Sequence, residues 1–212
     1  MKDKSLGDFL RELASAAPTP GGGAVAALAG AMAAALVGMV GGLAARRGEE
    51  AAEVISRAEK LREGLLQLAD RDSAAYDRVD KALKLPKGSE EEREARQRAL
   101  QTALKEAARV PLETAEWALE VLRLARDSLS HCPKSARSDL ASACALAQAA
   151  VNAALYNVDA NCLAIKDPEF LTQVSARRKA LAREGERLAE EIKMALEPSL
   201  TSWLGERDSN PH

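Results

Sequence analysis

The amino-acid sequence predicts an all-α protein, a single-domain bundle of about six long helices around a central glycine- and alanine-rich one. Apolar residues return every three or four positions through almost every segment, whereas the β-branched and aromatic clusters of strands are missing, aromatics being 3% of the chain. Residues 24–45 carry no charge, so that helix belongs inside the packing rather than on its surface. With 212 residues, 47% hydrophobic and 29% charged, the chain can bury one real core. No linker longer than a turn interrupts it, which predicts one domain over residues 1–205 and a tail at 206–212.

The first helix is expected over residues 5–16. Pro18, Thr19 and Pro20 then end it, and Gly21, Gly22 and Gly23 form a turn, since glycine reaches backbone angles closed to other residues. A second helix starts at about Gly23. Its first amides lack intrahelical partners and the helix dipole adds positive charge, so a bare glycine turn there admits a carboxylate, a phosphate or an electron-rich ring. Further along, Gly30, Ala34, Gly38 and Gly42 recur every four residues as a ridge for close backbone approach. The run to Ala45 is long enough to cross a bilayer, but alanine and glycine dominate it and no aromatic belt flanks it. A buried helix and no membrane partner are therefore expected. A nucleotide loop does not fit, because neither a Gly-Lys-Ser/Thr ending nor a G-x-G-x-x-G after a strand occurs.

A third helix spans about residues 49–83, after which Leu85, Pro86, Lys87 and Gly88 break the pattern. Ser89 and Glu92 make a capping box that starts the next helix, which runs to about Asp127 with Pro111 as a kink in its middle. Residues 130–138, with Pro133, read as a loop before a fifth helix over 139–165. Pro168 ends that one, and a last amphipathic helix over 169–196 stops before Pro198.

A net charge of -2 with interspersed signs makes no basic field, and the scarcity of aromatics removes base stacking, so nucleic acid is not an expected partner. Cys132, Cys144 and Cys162 are odd in number, lack a C-x-x-C spacing and have only His131 and His212 to help them. That pattern suits a reducing cytoplasm and predicts no metal site. His131 beside Cys132 is a poor thiolate pair, because neighbours in sequence rarely face each other. No charged segment followed by an apolar stretch and cleavage site opens the chain, so no secretion signal is expected.

Two polar features sit in apolar seams. Leu61, Leu65, Leu68, Ala75, Val79 and Leu83 form one stripe of the third helix, and Asp72 fills its gap. A carboxylate turned to the packed side has its pKa raised and becomes a candidate acid, base or counter-ion for a cation, or else a structural carboxylate satisfied by an arginine or a helix end. Tyr76 lies one turn beyond it, whereas Asp70 points elsewhere. The fifth helix carries two apolar faces, and Asn157 and Asn161 lie one turn apart on the second, where amides need a ligand or a backbone partner. Asp139 shares the azimuth of Asn157 but lies ~27 Å from it along the axis, so one small ligand cannot reach both within one subunit.

The stretch Pro18 to Ala27, PTPGGGAVAA, is similar to the PTPGGGSVAA signature of the formiminotetrahydrofolate cyclodeaminase and methenyltetrahydrofolate cyclohydrolase family. The resemblance continues in order through A-D-x-D-x-x-x-Y at Ala69 to Tyr76, L-P-K then S-E-E at Leu85 to Glu91, V-P-L at Val110 to Leu112, R-S-D-L at Arg137 to Leu140, and N-V-x-x-N at Asn157 to Asn161. It implies an all-helical homodimer that handles one-carbon units on tetrahydrofolate, the folate being substrate, with no separate cofactor. Asp72 matches the catalytic aspartate of that family. By the same resemblance, Gly21, Gly22 and Gly23 let the substrate approach the backbone, Tyr76 flanks it, and Asn157 or Asn161 bonds the pterin edge. Lys87 and Arg137 are the expected partners of the glutamate tail, and Asp139 binds pterin or stabilises the dimer. Cyclohydrolase is preferred over cyclodeaminase, the histidine-degradation activity, because no fused formiminotransferase domain is present; a helical folate-binding or assembly protein is the non-enzyme alternative. Ala24 in place of a frequent serine, Cys132 and Pro133 where Gly-Asn is common, and Asp159 and Cys162 in place of apolar residues depart from the pattern.

Overall fold

The computed structural model describes residues 4–201, which form six α-helices and two short 3-10 turns with no strand among them. The helices are α1 Leu6–Leu13, α2 Gly22–Ala45, α3 Ala52–Leu83, α4 Glu90–Asp127, α5 Arg137–Cys162 and α6 Pro168–Leu200. Local chemistry explains most of their limits. Ser5 caps α1 by accepting from the Asp8 amide, and Ser89 and Glu92 make the predicted capping box of α4. Asp167 caps α6 by accepting from the Phe170 amide, with Pro168 in the first turn, where its missing N–H is not needed. Pro168 thus begins α6, while α5 ends earlier than expected, at Cys162.

Pro198 does not stop α6, which continues to Leu200. So near the C-terminus a proline removes one helical hydrogen bond with little helix left to disrupt. The loop expected over residues 130–138 is ordered into the 3-10 turns Leu129–His131 and Lys134–Ala136, and α5 starts two residues early, at Arg137. The tail at 206–212 lies outside the described residues.

Helix α2 packs on α3, α5 and α4; α4 also packs on α3, α5 and α6; and α5 on α6. Small residues set the spacing of α2 against α3: a Cβ on Gly30 would meet both Leu65 methyls at 3.2 Å, and one on Gly38 would meet Ala58 at 3.3 Å. Gly42, the last residue of the predicted ridge, faces nothing within 4 Å. On α3 the predicted stripe is buried from Leu61 to Ala75, but Leu83 is 48% exposed and Ala82 takes the inward place, because the last turn of α3 leaves the core.

More than half of the most apolar window of α2 is buried inside the bundle, although the helix is long and apolar enough to span a membrane. The rest of α2 forms an uncharged outer strip with Met32 and Met39 at 52% and 42% exposure. Helix α5, its neighbour, has no charged residue between Asp139 and Asp159 and turns Ala145, Ala149 and Tyr156 outward.

Candidate active site

The N-terminus of α2 converges with the middle of α3 and the end of α5. Thr19 and Pro20 are joined by a cis peptide, and Gly21 serves as the N-cap without any side-chain hydrogen bond of its own. No acidic residue of α2 lies in its first turn, so the helix itself leaves the positive end of its dipole uncompensated. Asp72, from α3, supplies that charge. Its carboxylate lies so close to Gly23 that a Cβ there would fall 2.1 Å from Oδ1, 2.5 Å from Cγ and 2.7 Å from Oδ2. Gly22 meets Asn157 in the same way but less tightly, with Nδ2 at 3.2 Å from the position of a Cβ. Gly21 is unlike both: its nearest neighbour would be the Pro18 carbonyl at 3.9 Å.

These distances change the expected role of the glycines. None of the three has a positive φ; among the described residues the only glycine that does is Gly48, so backbone freedom is not what the turn uses. Gly23 and Gly22 are needed for space, and what approaches the backbone is the chain's own Asp72 and Asn157. The helix-end reading of Asp72 and its acid–base reading are therefore compatible. Burial raises its pKa above the ordinary carboxylate value, and hydrogen bonding from the Ala24 backbone partly opposes that.

Pro18, Thr19, the glycine triplet, Asp72, Ala75, Tyr76, Val79, Ala107, Asn157 and Asn161 enclose a cleft of about 270 Å³, in which Asp72 is the sole charged group among the described residues. Pockets for whole ligands start at roughly 300 Å³, so the cleft takes a ring-sized head group and leaves the rest of a longer molecule outside. Tyr76 is 44% exposed at its edge. Asn157 Nδ2 donates to the Ala153 carbonyl at 2.9 Å, and Asn161 Nδ2 donates across to the Ala107 carbonyl of α4 at 2.8 Å. A larger hollow of about 700 Å³ between α5 and α6 is lined by alanines, leucines and charges on its rim, and holds no comparable group.

Seven of the ten residues singled out in the sequence thus meet in the cleft: Gly21, Gly22, Gly23, Asp72, Tyr76, Asn157 and Asn161. Lys87, Arg137 and Asp139 do not line it. Lys87 is exposed in the turn between α3 and α4, and Arg137 and Asp139 lie in the first turn of α5, about five turns from Asn157. Sequence reasoning did not single out Ala107, Ala75 and Val79 as walls, because small apolar side chains look the same in a core and in a cleft. The Cys132 thiol is pushed up by burial, which Arg137 opposes and Asp139 reinforces, and it donates to the Pro133 carbonyl while His131 pairs with Glu49. Burial pushes the Cys144 thiol up to about 11. Neither is an activated thiolate. Among the described residues no group of three or more His, Cys, Asp or Glu side chains is placed to hold a metal.

Fold and cleft together define a class: an all-helical protein with one carboxylate from the middle of a helix seated on the N-terminus of another, facing paired amides. The chain belongs to the formiminotransferase-cyclodeaminase family, whose model matches residues 5–180. It is 35% identical over 196 residues to the methenyltetrahydrofolate cyclohydrolase of Methylorubrum extorquens, covering 90% of this chain and 94% of that protein. It is 37% identical over 188 residues to the formimidoyltransferase-cyclodeaminase of Sus scrofa, covering 85% of this chain but only 35% of that relative. The crystal structure of formiminotetrahydrofolate cyclodeaminase from Thermotoga maritima matches with a TM-score of 0.82 at 30% identity, covering 94% of this chain and 98% of that one.

Proposed function

We propose that the protein is a tetrahydrofolate one-carbon enzyme, a 5,10-methenyltetrahydrofolate cyclohydrolase that opens the methenyl bridge with water to give 10-formyltetrahydrofolate. The observation that carries the reading is the seating of Asp72: one carboxylate, partly dried and held in place by the glycine turn, in a cleft to which no other described residue brings a charge. The substrate's methenyl carbon is the centre of a cation shared between N5 and N10, and a lone carboxylate suits it. Asp72 takes a proton from the attacking water, so that a neutral tetrahedral carbon forms, and returns that proton to N5 as the C–N5 bond breaks. The hydroxyl proton left on the carbon departs to solvent as the formyl C=O forms. A raised pKa places the aspartate closer to the values between which it must cycle, while the Ala24 amide and the cationic substrate favour the charged form that acts as base.

A second reading, 5-formiminotetrahydrofolate cyclodeaminase, is favoured by the likeness to the Thermotoga structure over nearly the whole of both chains. There N10 attacks the formimino carbon, the same carboxylate takes the N10 proton and passes it to the amino nitrogen, and ammonia leaves as the methenyl cation forms. The two are separated by incubating purified protein with each substrate, following loss of the methenyl chromophore in one and ammonia release in the other. Turnover of neither folate by folded protein refutes both.

The assembly in this reading is a homodimer. The uncharged outer strip of α2 and the adjoining face of α5 support it, since a 24-residue helix without a charge leaves an apolar surface in the monomer that a second copy would cover. The α2 strip begins next to the cleft, so a partner seated there would also close over a ligand too long for about 270 Å³.

A further inference from the structure

The proline in the middle of α4 has a consequence at the cleft, four residues earlier in the chain. In an α-helix the N–H of residue 111 would bond the carbonyl of residue 107, and Pro111 has no N–H to give. Pro111 is buried in the core and Ala107 is 6% exposed, so water is a poor substitute partner for that carbonyl. The donor that reaches it comes from another helix: Asn161 Nδ2, at 2.8 Å, 54 residues away in sequence. Because a carbonyl oxygen only accepts, the amide has to present its nitrogen to α4, and what remains free is Oδ1 together with the second N–H of the amide. Asn157, one turn before, is oriented alike, its nitrogen donating to the Ala153 carbonyl at 2.9 Å.

We propose that Pro111 is a positioning residue for ligand recognition: by leaving the Ala107 carbonyl without its helical donor, it draws the Asn161 nitrogen to α4 and sets Oδ1 as an acceptor facing the cleft. The pair of amides then selects a ligand edge that carries an N–H donor beside an acceptor, because each amide keeps Oδ1 and a second N–H. The amino-pyrimidinone edge of a reduced pterin has that character, and this assignment of the edge rests on the folate reading above. The V-P-L motif of α4 and the N-V-x-x-N motif of α5 thereby become parts of one device.

The test is a double-mutant cycle with Pro111→Ala and Asn161→Ala, reading KM and kcat for the methenyl substrate together with the melting temperature. Pro111→Ala restores the missing donor and replaces the poorest helix former with the best, which offsets the cavity left by the buried ring, and the melting temperature confirms that the variant is folded. KM is expected to rise about fivefold, the worth of one hydrogen bond, with kcat changed less than about twofold. In the Asn161→Ala background the same substitution leaves KM where it was, because its target is gone. Equal KM shifts in both backgrounds, or no shift in either, overturn the proposal. Should the parent protein turn over neither folate, the functional reading falls and the side-chain amide resonance of Asn161 still decides this one. That signal moves and exchanges faster in Pro111→Ala if the proline orients it, and an unmoved signal refutes the device.

Discussion

Replacing Gly23 by alanine tests the seating of Asp72 directly. The new Cβ would stand 2.1 Å from Oδ1, and every carboxylate atom lies within 2.7 Å of it, below any contact a real Cβ tolerates. Ordinary contact begins at about 3.4 Å, so the carboxylate must retreat by roughly 1.3 Å or the start of α2 must move. The short Asp72 side chain is the softer of the two, and it swings away from the turn. A misplacement of about 1 Å of a reacting group costs on the order of a hundredfold in rate, equivalent to about 2.7 kcal/mol of barrier. Stability carries a penalty of its own, about 1–3 kcal/mol of overpacking partly offset by up to about 1 kcal/mol of helix propensity, so kcat is read on the folded fraction. The same triplet supplies its controls. Gly21→Ala meets only the Pro18 carbonyl at 3.9 Å and should be near neutral, while Gly22→Ala, 3.2 Å from Asn157 Nδ2, should fall between. The assay is kcat for loss of the methenyl chromophore, with thermal melts on each variant. A Gly23→Ala enzyme within about threefold of the parent, or three variants of equal activity, would show that the glycine turn does not hold the carboxylate in its working position.

Three other outcomes are expected. Asp72→Asn should lose about 10²–10⁴ in kcat, the contribution of a positioned acid–base group. It should also melt higher than the parent near neutral pH: burial raises the folded-state pKa above 3.8, so the ionised form costs stability, and that cost vanishes as pH falls below the ordinary carboxylate value. Melting curves across pH in which the difference between the two proteins stays constant would contradict the sign of that shift. Gly64→Ala places a Cβ 1.9 Å from Cζ3 of the Trp117 ring, so urea unfolding should show a loss of about 1–3 kcal/mol, with kcat of the folded fraction unchanged. Finally, Met32→Glu with Met39→Glu puts two carboxylates on the uncharged strip of α2, and burying unpaired charge costs several kcal/mol, so light scattering should report a dimer for the parent, as proposed, and a monomer for the variant. A monomeric parent would refute the assembly.

Much of the bundle was legible from local signals. The periodic apolar residues of α3, α4 and α6, the Ser89–Glu92 box and the uncharged α2 each act within a few turns, and the structure follows them to within a few residues. Asp72 stood out for the same reason, as a charge in an apolar stripe. The misplaced limits arose where propensity met tertiary packing or the weak demands of a helix end. Pro198 stays helical because it falls beside the C-terminus, and Leu83 turns outward because α3 outruns the core. Charge and motif are what mark Lys87, Arg137 and Asp139 in the sequence, and neither property says at which end of a long helix a cleft will form.

By itself, then, the sequence determined the helices, their small-residue faces and the identity of the chemical groups, because periodicity, capping and side-chain chemistry are local properties of the chain. Only the tertiary structure decided which of those groups meet. Gly23 lacks a side chain because Asp72, 49 residues later, occupies its place. Asn161 is turned by a carbonyl that Pro111 vacates on another helix. Such pairings depend on how helices cross and at what spacing, which follows from the packing of all six together and from no single segment.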